Sequence, residues 1–136
     1  MIVLHVSAAI AMIAESQATA TSRAFMETNV NSWIAPAVFA YDVRNTLLCL
    51  QGRTGLDVRL TEMALARLEQ DMEPLEPELD AMGLQVAMRM AQAGGLSFSD
   101  ACYVELAVRE GAGLASRDGK LLDFATQQGV LAIDLR

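Results

Sequence analysis

Three aspartates, one histidine and two serines are the side chains whose types and positions could carry chemistry. They are Asp42, Asp100, Asp118, His5, Ser7 and Ser116. Carboxylates that converge without matching lysines repel one another unless a cation is present, and their hard oxygen atoms select Mg²⁺ or Mn²⁺. Such an ion lowers the pKa of a bound water and stabilises the charge that builds on a phosphate in the transition state. If these side chains meet, the sequence predicts metal-assisted hydrolysis of a phosphodiester bond.

The elements between these residues predict a fold that would bring them together. Short apolar runs alternate with segments of helical periodicity, a pattern typical of a parallel sheet covered by helices on both faces. We predict strands at 2–4, 33–35, 112–115 and 130–133, with a brief edge strand at 72–75. We predict helices after a cap at Ser7 and at 21–29, 36–51, 56–70, 79–92, 97–110 and 120–128. The predicted class is α/β with a central parallel sheet of four to five strands, in a single domain over residues 1–136.

The carboxyl ends of these strands are where a ligand would be expected in an open α/β sheet. His5 follows the first strand directly, and Asp118 lies just past the 112–115 strand. Asp42 lies in the 36–51 helix, where Arg44 is the only other charged residue. A carboxylate in such apolar company is costly unless it is paired or bound to metal, and an ion pair with a distant arginine would satisfy it equally well.

Each candidate also has a structural explanation. The pattern Ser97-Phe-Ser-Asp100 matches a capping box, in which a serine and an acid bind the free amides at a helix start. Asp118 precedes a glycine and is a good N-cap for the helix that follows. His5 alone would most often be a hydrogen-bonded core histidine, and Ser7 a helix cap. Convergence of all of them on one edge of the sheet would favour the functional interpretation.

The net charge of −7 is unusual for a protein that binds nucleic acid. Six acids fall between Glu69 and Asp80, however, and the remaining acids and bases nearly balance. All bases except Lys120 are arginines, which are the better bidentate ligands for phosphate. The charge therefore neither supports nor excludes RNA as a partner.

No apolar run reaches the ~18 residues that a membrane span requires, so we predict a cytoplasmic protein with no membrane partner. Cys49 and Cys102 match no zinc spacing and lie in apolar stretches. We expect both to be buried, reduced thiols.

Four segments in chain order resemble the PIN-domain family. Residues 1–10 resemble its opening, in which an aspartate ends the first strand and a serine or threonine follows two positions later. Residues 36–48 resemble the segment with the second acid, and residues 95–107 and 114–121 resemble the third and fourth acid motifs. The resemblance implies a PIN-like fold and a Mg²⁺-dependent endoribonuclease toxin of the VapC type, with Mn²⁺ as a possible substitute. It also implies a VapB-like antitoxin, an RNA substrate and a homodimer.

The resemblance assigns roles by position. Asp42, Asp100 and Asp118 would be the catalytic, metal-binding acids, and His5 stands at the metal-binding position of the family's first aspartate. Ser7 and Ser116 would contact the phosphate or support the metal ligands.

Two positions depart from the family pattern. Asp42 replaces the usual glutamate and is one methylene shorter. His5 replaces the first aspartate, which removes a negative charge and offers a nitrogen that Mg²⁺ binds poorly. The histidine would fit an inactivated variant, a natural protein that has lost catalysis, or an enzyme that uses Mn²⁺ or another borderline metal.

Two other classes compete with the ribonuclease toxin. One is a non-catalytic PIN-fold module that binds an antitoxin or RNA without any metal requirement. The other is a receiver-like signalling domain, which also gathers acids around Mg²⁺ at a sheet edge. A receiver needs adjacent acids after its first strand, where this chain has only His5.

Overall fold

The sheet at the centre of the computed structural model, which describes residues 1–28 and 33–136, has four parallel strands. These are β1 (Ile2–Leu4), β2 (Trp33–Ile34), β3 (Gly113–Ser116) and β4 (Ala132–Asp134). They lie in the order β2-β1-β3-β4, and the register pairs Val3 of β1 with Ile34 on one side and Leu114 on the other. The predicted central parallel sheet is confirmed.

Seven α-helices flank the sheet within the described part of the chain. They are α1 (Val6–Ile13), α2 (Ala20–Thr28), α3 (Phe39–Thr54), α4 (Val58–Asp71), α5 (Ala81–Gly94), α6 (Phe98–Glu110) and α7 (Gly119–Gln127), with a 3₁₀ turn at Glu15–Gln17. Helix α6 is buried at seven consecutive positions, from Ala101 to Ala107. A helix that is buried on every side belongs to the core, so the central two turns of α6 are part of the core.

The predicted edge strand at 72–75 is wrong. This segment is not a strand, although two amides still bind the carbonyls of the β2 region: Glu73 donates to Trp33 and Glu76 donates to Ala35, at 3.0 and 3.1 Å. The two donors are three residues apart, whereas their acceptors are two residues apart. A ladder repeats every two residues on both strands, so the two bonds do not form a continuous ladder, and the segment lies along the edge of β2 without joining the sheet.

Several predicted boundaries also differ. Residues 37 and 38 form a turn, and α3 begins at Phe39. The helix runs through Gly52 and ends at Gly55, whose φ of 69° is the left-handed conformation that stops a helix. The predicted cap at Ser7 is wrong, because His5 is the N-cap of α1 and Ser7 lies inside the helix. The last residue of the predicted 21–29 helix lies outside the described residues.

The prediction of two buried thiols is half wrong. Cys102 is buried, whereas Cys49 is exposed. The buried face of α3 is set by Phe39, Val43 and Leu47, at intervals of four residues, and Cys49 lies off that stripe. Among the described residues, no helix is both long enough and apolar enough to cross a membrane.

Candidate functional site

The carboxyl ends of β1 and β3 lie side by side at the centre of the sheet. The chain leaves β1 toward β2 on one side and leaves β3 toward β4 on the other, so the strand order reverses between β1 and β3. Such a switch point is where open α/β sheets bind ligands. His5 follows β1, its amide donates to the carbonyl of Ala115 at 3.0 Å, and Ser116 ends β3.

The His5 imidazole is buried and hydrogen-bonded on both sides. Its Nε2 lies 3.0 Å from Asp100 Oδ1, and its Nδ1 lies 2.9 Å from Ser7 Oγ and 3.1 Å from Ser116 Oγ. The backbone amide of Ser7 also donates to Nδ1, at 3.3 Å. Because Nδ1 accepts from an N–H, Nδ1 carries no proton, and the imidazole proton lies on Nε2. In that tautomer Nε2–H donates to Asp100, and the imidazole lone pair faces the serines.

The two serines link this histidine to the loop after β3. Ser7 Oγ accepts from the amide of Arg117 at 2.8 Å and lies 3.1 Å from Ser116 Oγ. Ser116 Oγ in turn accepts from the amide of Asp118 at 2.9 Å. The serines therefore support the histidine and the loop from inside the sheet edge.

Asp100 is directed toward His5. Ser97 caps α6 by accepting from the Asp100 amide at 3.0 Å, which confirms the serine half of the predicted capping box. The Asp100 carboxylate, however, accepts from His5 and is about a quarter exposed. The hydrogen bond from His5 holds the pKa of Asp100 below its usual value of 3.8, although partial burial opposes that effect.

Asp42 is held by two hydroxyl groups of α6. Its Oδ2 accepts from Ser99 Oγ at 2.5 Å and from Tyr103 OH at 3.0 Å. Burial first, and then the charge and hydrogen bond of Asp42, raise the pKa of the Tyr103 phenol, so it remains a donor. The Tyr103 ring also meets the His5 ring edge-on, with centroids 4.8 Å apart.

Ser99 and Tyr103 were not recognised from the sequence. The signal that could have found Tyr103 is its position three residues after Asp100, on the same face of the predicted helix. The sequence predicted that the Asp42 carboxylate would need a metal or an ion pair with an arginine. In the structure the hydroxyl groups of Ser99 and Tyr103 donate hydrogen bonds to it instead.

Asp118 caps α7, as its sequence context predicted. Its Oδ1 accepts from the Leu121 amide at 3.2 Å. Arg136 lies within electrostatic range of Asp118: the pKa of Arg136 is raised mainly by Asp134, and to a smaller degree by Asp123 and Asp118. Asp118 is therefore joined to the His5 cluster through its backbone and Ser116, and its carboxylate makes its own helix-end contact.

The arrangement does not fit a Mg²⁺ site as it stands. Within residues 1–28 and 33–136, no group of three or more His, Cys, Asp or Glu residues is placed to hold a metal ion. Asp42, Asp100 and Asp118 each bind a different partner, and His5 offers Asp100 a proton where a ligand would offer a lone pair. The predicted residues lie near one another at this edge of the sheet, but their carboxylates do not point to a common position.

No protein-family model matches the chain, and no curated protein matches it. Solved structures are similar to it, among them the following three. PAE2754 from Pyrobaculum aerophilum gives a TM-score of 0.70 at 19% identity, over 97% of this chain and 88% of that one. Mycobacterium tuberculosis VapC20, described as a Sarcin-Ricin loop cleaving toxin, gives a TM-score of 0.63 at 18% identity, over 93% of this chain and 95% of that one. FitAcB from Neisseria gonorrhoeae gives a TM-score of 0.66 at 17% identity, over 98% of this chain and 97% of that one.

These likenesses define the fold. The chain has the PIN-domain fold of VapC-type proteins, as the four sequence segments predicted.

Proposed function

We propose that this protein is a VapC-like ribonuclease toxin of a toxin-antitoxin pair, in which His5 impairs Mg²⁺ binding. The observation that carries the proposal is the position of His5 and Asp100. They meet at the central switch point of a PIN-type sheet, where the family resemblance expects two acids to hold the metal. In this proposal the substrate is RNA, and the partner protein is a small VapB-like antitoxin.

The toxin class is supported by the fold and by the retained acids. VapC20, which shares the fold, is described as a toxin that cleaves the Sarcin-Ricin loop. Asp42, Asp100 and Asp118 stand where the resemblance expects acids, and each is held by hydrogen bonds at or near the carboxyl edge of the sheet. When bound, Mg²⁺ would supply an activated water and charge stabilisation at the phosphate.

The impairment follows from the imidazole. An aspartate at position 5 would face Asp100 as a second negative charge, and the pair would attract a cation. His5 instead donates a proton to Asp100, which satisfies that carboxylate without a metal. An ion that entered would have to displace this hydrogen bond and would find no third ligand ready among the residues that the structure describes.

The test is to restore the acid. We expect His5→Asp to cleave a structured RNA in the presence of Mg²⁺ or Mn²⁺ at least about tenfold faster than the unmodified chain, because loss of a single group in a metal site commonly costs 10–100-fold. His5→Asn is the matched control, since it removes the imidazole without adding charge. The double variant His5→Asp with Asp100→Asn should lose the gained activity. If His5→Asp and the double variant were equally inert, the enzyme assignment would fail.

A second candidate is a non-catalytic PIN-fold module that binds an antitoxin or RNA. It is favoured by one observation: each predicted metal-binding acid already has a protein partner. This candidate predicts that the unmodified chain binds its partner equally well in EDTA and in Mg²⁺. Copurification of a small antitoxin with the co-expressed chain, combined with an inert His5→Asp variant, would favour it over the first.

A further inference from the structure

Arg117 is the only arginine or lysine of the chain that is not exposed. All ten of these bases lie in the described residues, and the other nine are exposed to solvent. Arg117 follows Ser116 at the end of β3, and its amide donates to Ser7 Oγ at 2.8 Å. Because Ser7 Oγ also lies 2.9 Å from His5 Nδ1, the main chain of Arg117 is bound to the candidate site.

No carboxylate neutralises the Arg117 guanidinium among the described residues. Arg117 forms no ion pair with any of them. The acid next to it in the chain, Asp118, directs its carboxylate at the Leu121 amide, where it caps α7. A cation that is partly withdrawn from water is unfavourable unless an opposite charge faces it. The charge of Arg117 is therefore available to an anion from outside the chain.

The hydrogen bonds of the guanidinium are also incomplete. Its Nη1 donates to the backbone carbonyl of Gln17 at 2.9 Å, in the 3₁₀ turn after α1. Its Nε is buried and has no acceptor among the described residues, and Nη2 lacks a partner there too but is not enclosed. A guanidinium has five N–H donors, in a planar arrangement that matches the oxygen atoms of a phosphate. The unused donors of Arg117 therefore fit such a group.

The bond to Gln17 gives Arg117 a structural role as well, but that role does not require its charge. A single carbonyl is satisfied by one N–H donor, charged or neutral. The connection between α1 and α2 is also tied to the carboxyl edge of the sheet without Arg117, because Thr19 Oγ1 donates to the carbonyl of Leu135 at 3.1 Å. The positive charge is thus the property of Arg117 that the fold leaves unused.

We propose that Arg117 binds a phosphate group of the RNA strand at the candidate site. The inference rests on the proposed function, which makes RNA the substrate. Asp100 and Asp118 lie at the same edge of the sheet and repel an RNA phosphate. A fixed arginine beside them offsets this repulsion and holds the strand over the junction of the β3–α7 loop with the turn at Gln17. Contacts of this kind position a strand without reading its sequence.

The test measures RNA binding without cleavage. Fluorescence anisotropy follows a short fluorescein-labelled single-stranded RNA of mixed sequence, in EDTA, over a series of KCl concentrations. Arg117→Gln should weaken binding about tenfold, because a hydrogen bond to a charged group is lost. The slope of log K against log salt should become shallower by about 0.7, since one phosphate contact is lost. Arg53→Gln is the matched control: this exposed arginine lies in the last turn of α3, and its loss should leave both values unchanged.

Two further measurements separate phosphate binding from a structural role. Arg117→Lys keeps the charge and should restore the salt slope, with lower affinity than arginine because an ammonium lacks the planar donor pair. Circular dichroism establishes that each variant is folded. If Arg117→Gln fails to fold, the unmodified chain decides: RNA should slow the reaction of Arg117 with phenylglyoxal but not that of Arg53, as measured by mass spectrometry.

An unchanged salt slope in folded Arg117→Gln would overturn the proposal, because Arg117 would then only hold the Gln17 carbonyl. So would an unmodified chain that binds no RNA at low salt, or equal protection of Arg117 and Arg53 by RNA. The proposed enzyme fails by a different result, an inert His5→Asp variant, which leaves the binding of RNA in EDTA unaffected.

Discussion

The Nε2 atom of His5 lies 3.0 Å from Oδ1 of Asp100, across 95 positions of the chain. This bond joins the end of β1 to the first turn of α6, and the histidine is in turn anchored to Ser7 and Ser116. The Nε2–H group of His5 therefore satisfies the Asp100 carboxylate by a hydrogen bond, in the place where a bound cation or a basic side chain would otherwise neutralise it. The chemistry of the site depends on whether this proton donor or a cation faces the carboxylate.

The His5–Asp100 bond should contribute to stability. Asp100→Ala leaves the Nε2–H group of a buried imidazole without its acceptor, so we expect a loss of about 1–3 kcal/mol in the free energy of unfolding. Asp100→Asn retains a carbonyl oxygen and should lose less. Urea unfolding monitored by circular dichroism measures both values. Equal stability of Asp100→Ala and the unmodified chain would show that the bond carries no net stabilisation.

The two thiols should differ sharply in reactivity. Burial, with smaller contributions from the Glu105 and Asp42 charges, raises the pKa of Cys102 to about 11, whereas Cys49 is exposed. Because the thiolate is the reactive form, we expect one thiol per native chain to react quickly with a disulfide reagent at pH 8. Both should react after denaturation.

The control for this thiol count is Cys49→Ser, which should leave no rapidly reacting thiol in the native protein. Rapid modification of Cys102 in the folded Cys49→Ser chain would contradict the burial of that residue beside α5.

Substitution of alanine for two helical glycines should change the stability of the protein in opposite directions. A Cβ at Gly94 would lie 2.8 Å from the ring of Phe124, which is itself buried, so Gly94→Ala should destabilise the protein by about 1–3 kcal/mol. A Cβ at Gly52 would meet nothing within 4 Å, so Gly52→Ala should stabilise α3 by about 0.5–1 kcal/mol. Thermal unfolding of the two variants gives the comparison. A stabilising Gly94→Ala would mean that α5 and α7 are packed less closely than described.

The fold was largely predictable because its signals are local. The helices at 79–92 and 97–110 were recognised from apolar periodicity and from the glycines between them, and both exist with shifts of one or two residues. The last strand was placed two residues early. Val130 looks like strand sequence, but its amide binds the carbonyl of Ala125 beyond Gly129, whose φ is 81°, and so closes α7.

The sequence predicted which residues lie near one another in the site, but not which partner each side chain binds. His5 and Ser116 lie side by side because β1 and β3 pair in parallel, and this pairing does not depend on their side chains. The partners of Asp42 lie 57 and 61 positions away, at Ser99 and Tyr103, and depend on how α6 rotates against α3. No periodicity specifies that rotation, so the hydroxyl pair that satisfies Asp42 could not be foreseen.

Mg²⁺ binding measured by calorimetry tests the central claim most directly, because it needs no RNA and no antitoxin. We predict no detectable uptake of Mg²⁺ by the unmodified chain, and uptake by His5→Asp, accompanied by an increase in its melting temperature when the ion is added. Uptake by the unmodified chain with an affinity equal to that of His5→Asp would contradict the account, since His5 would then be no obstacle to the metal.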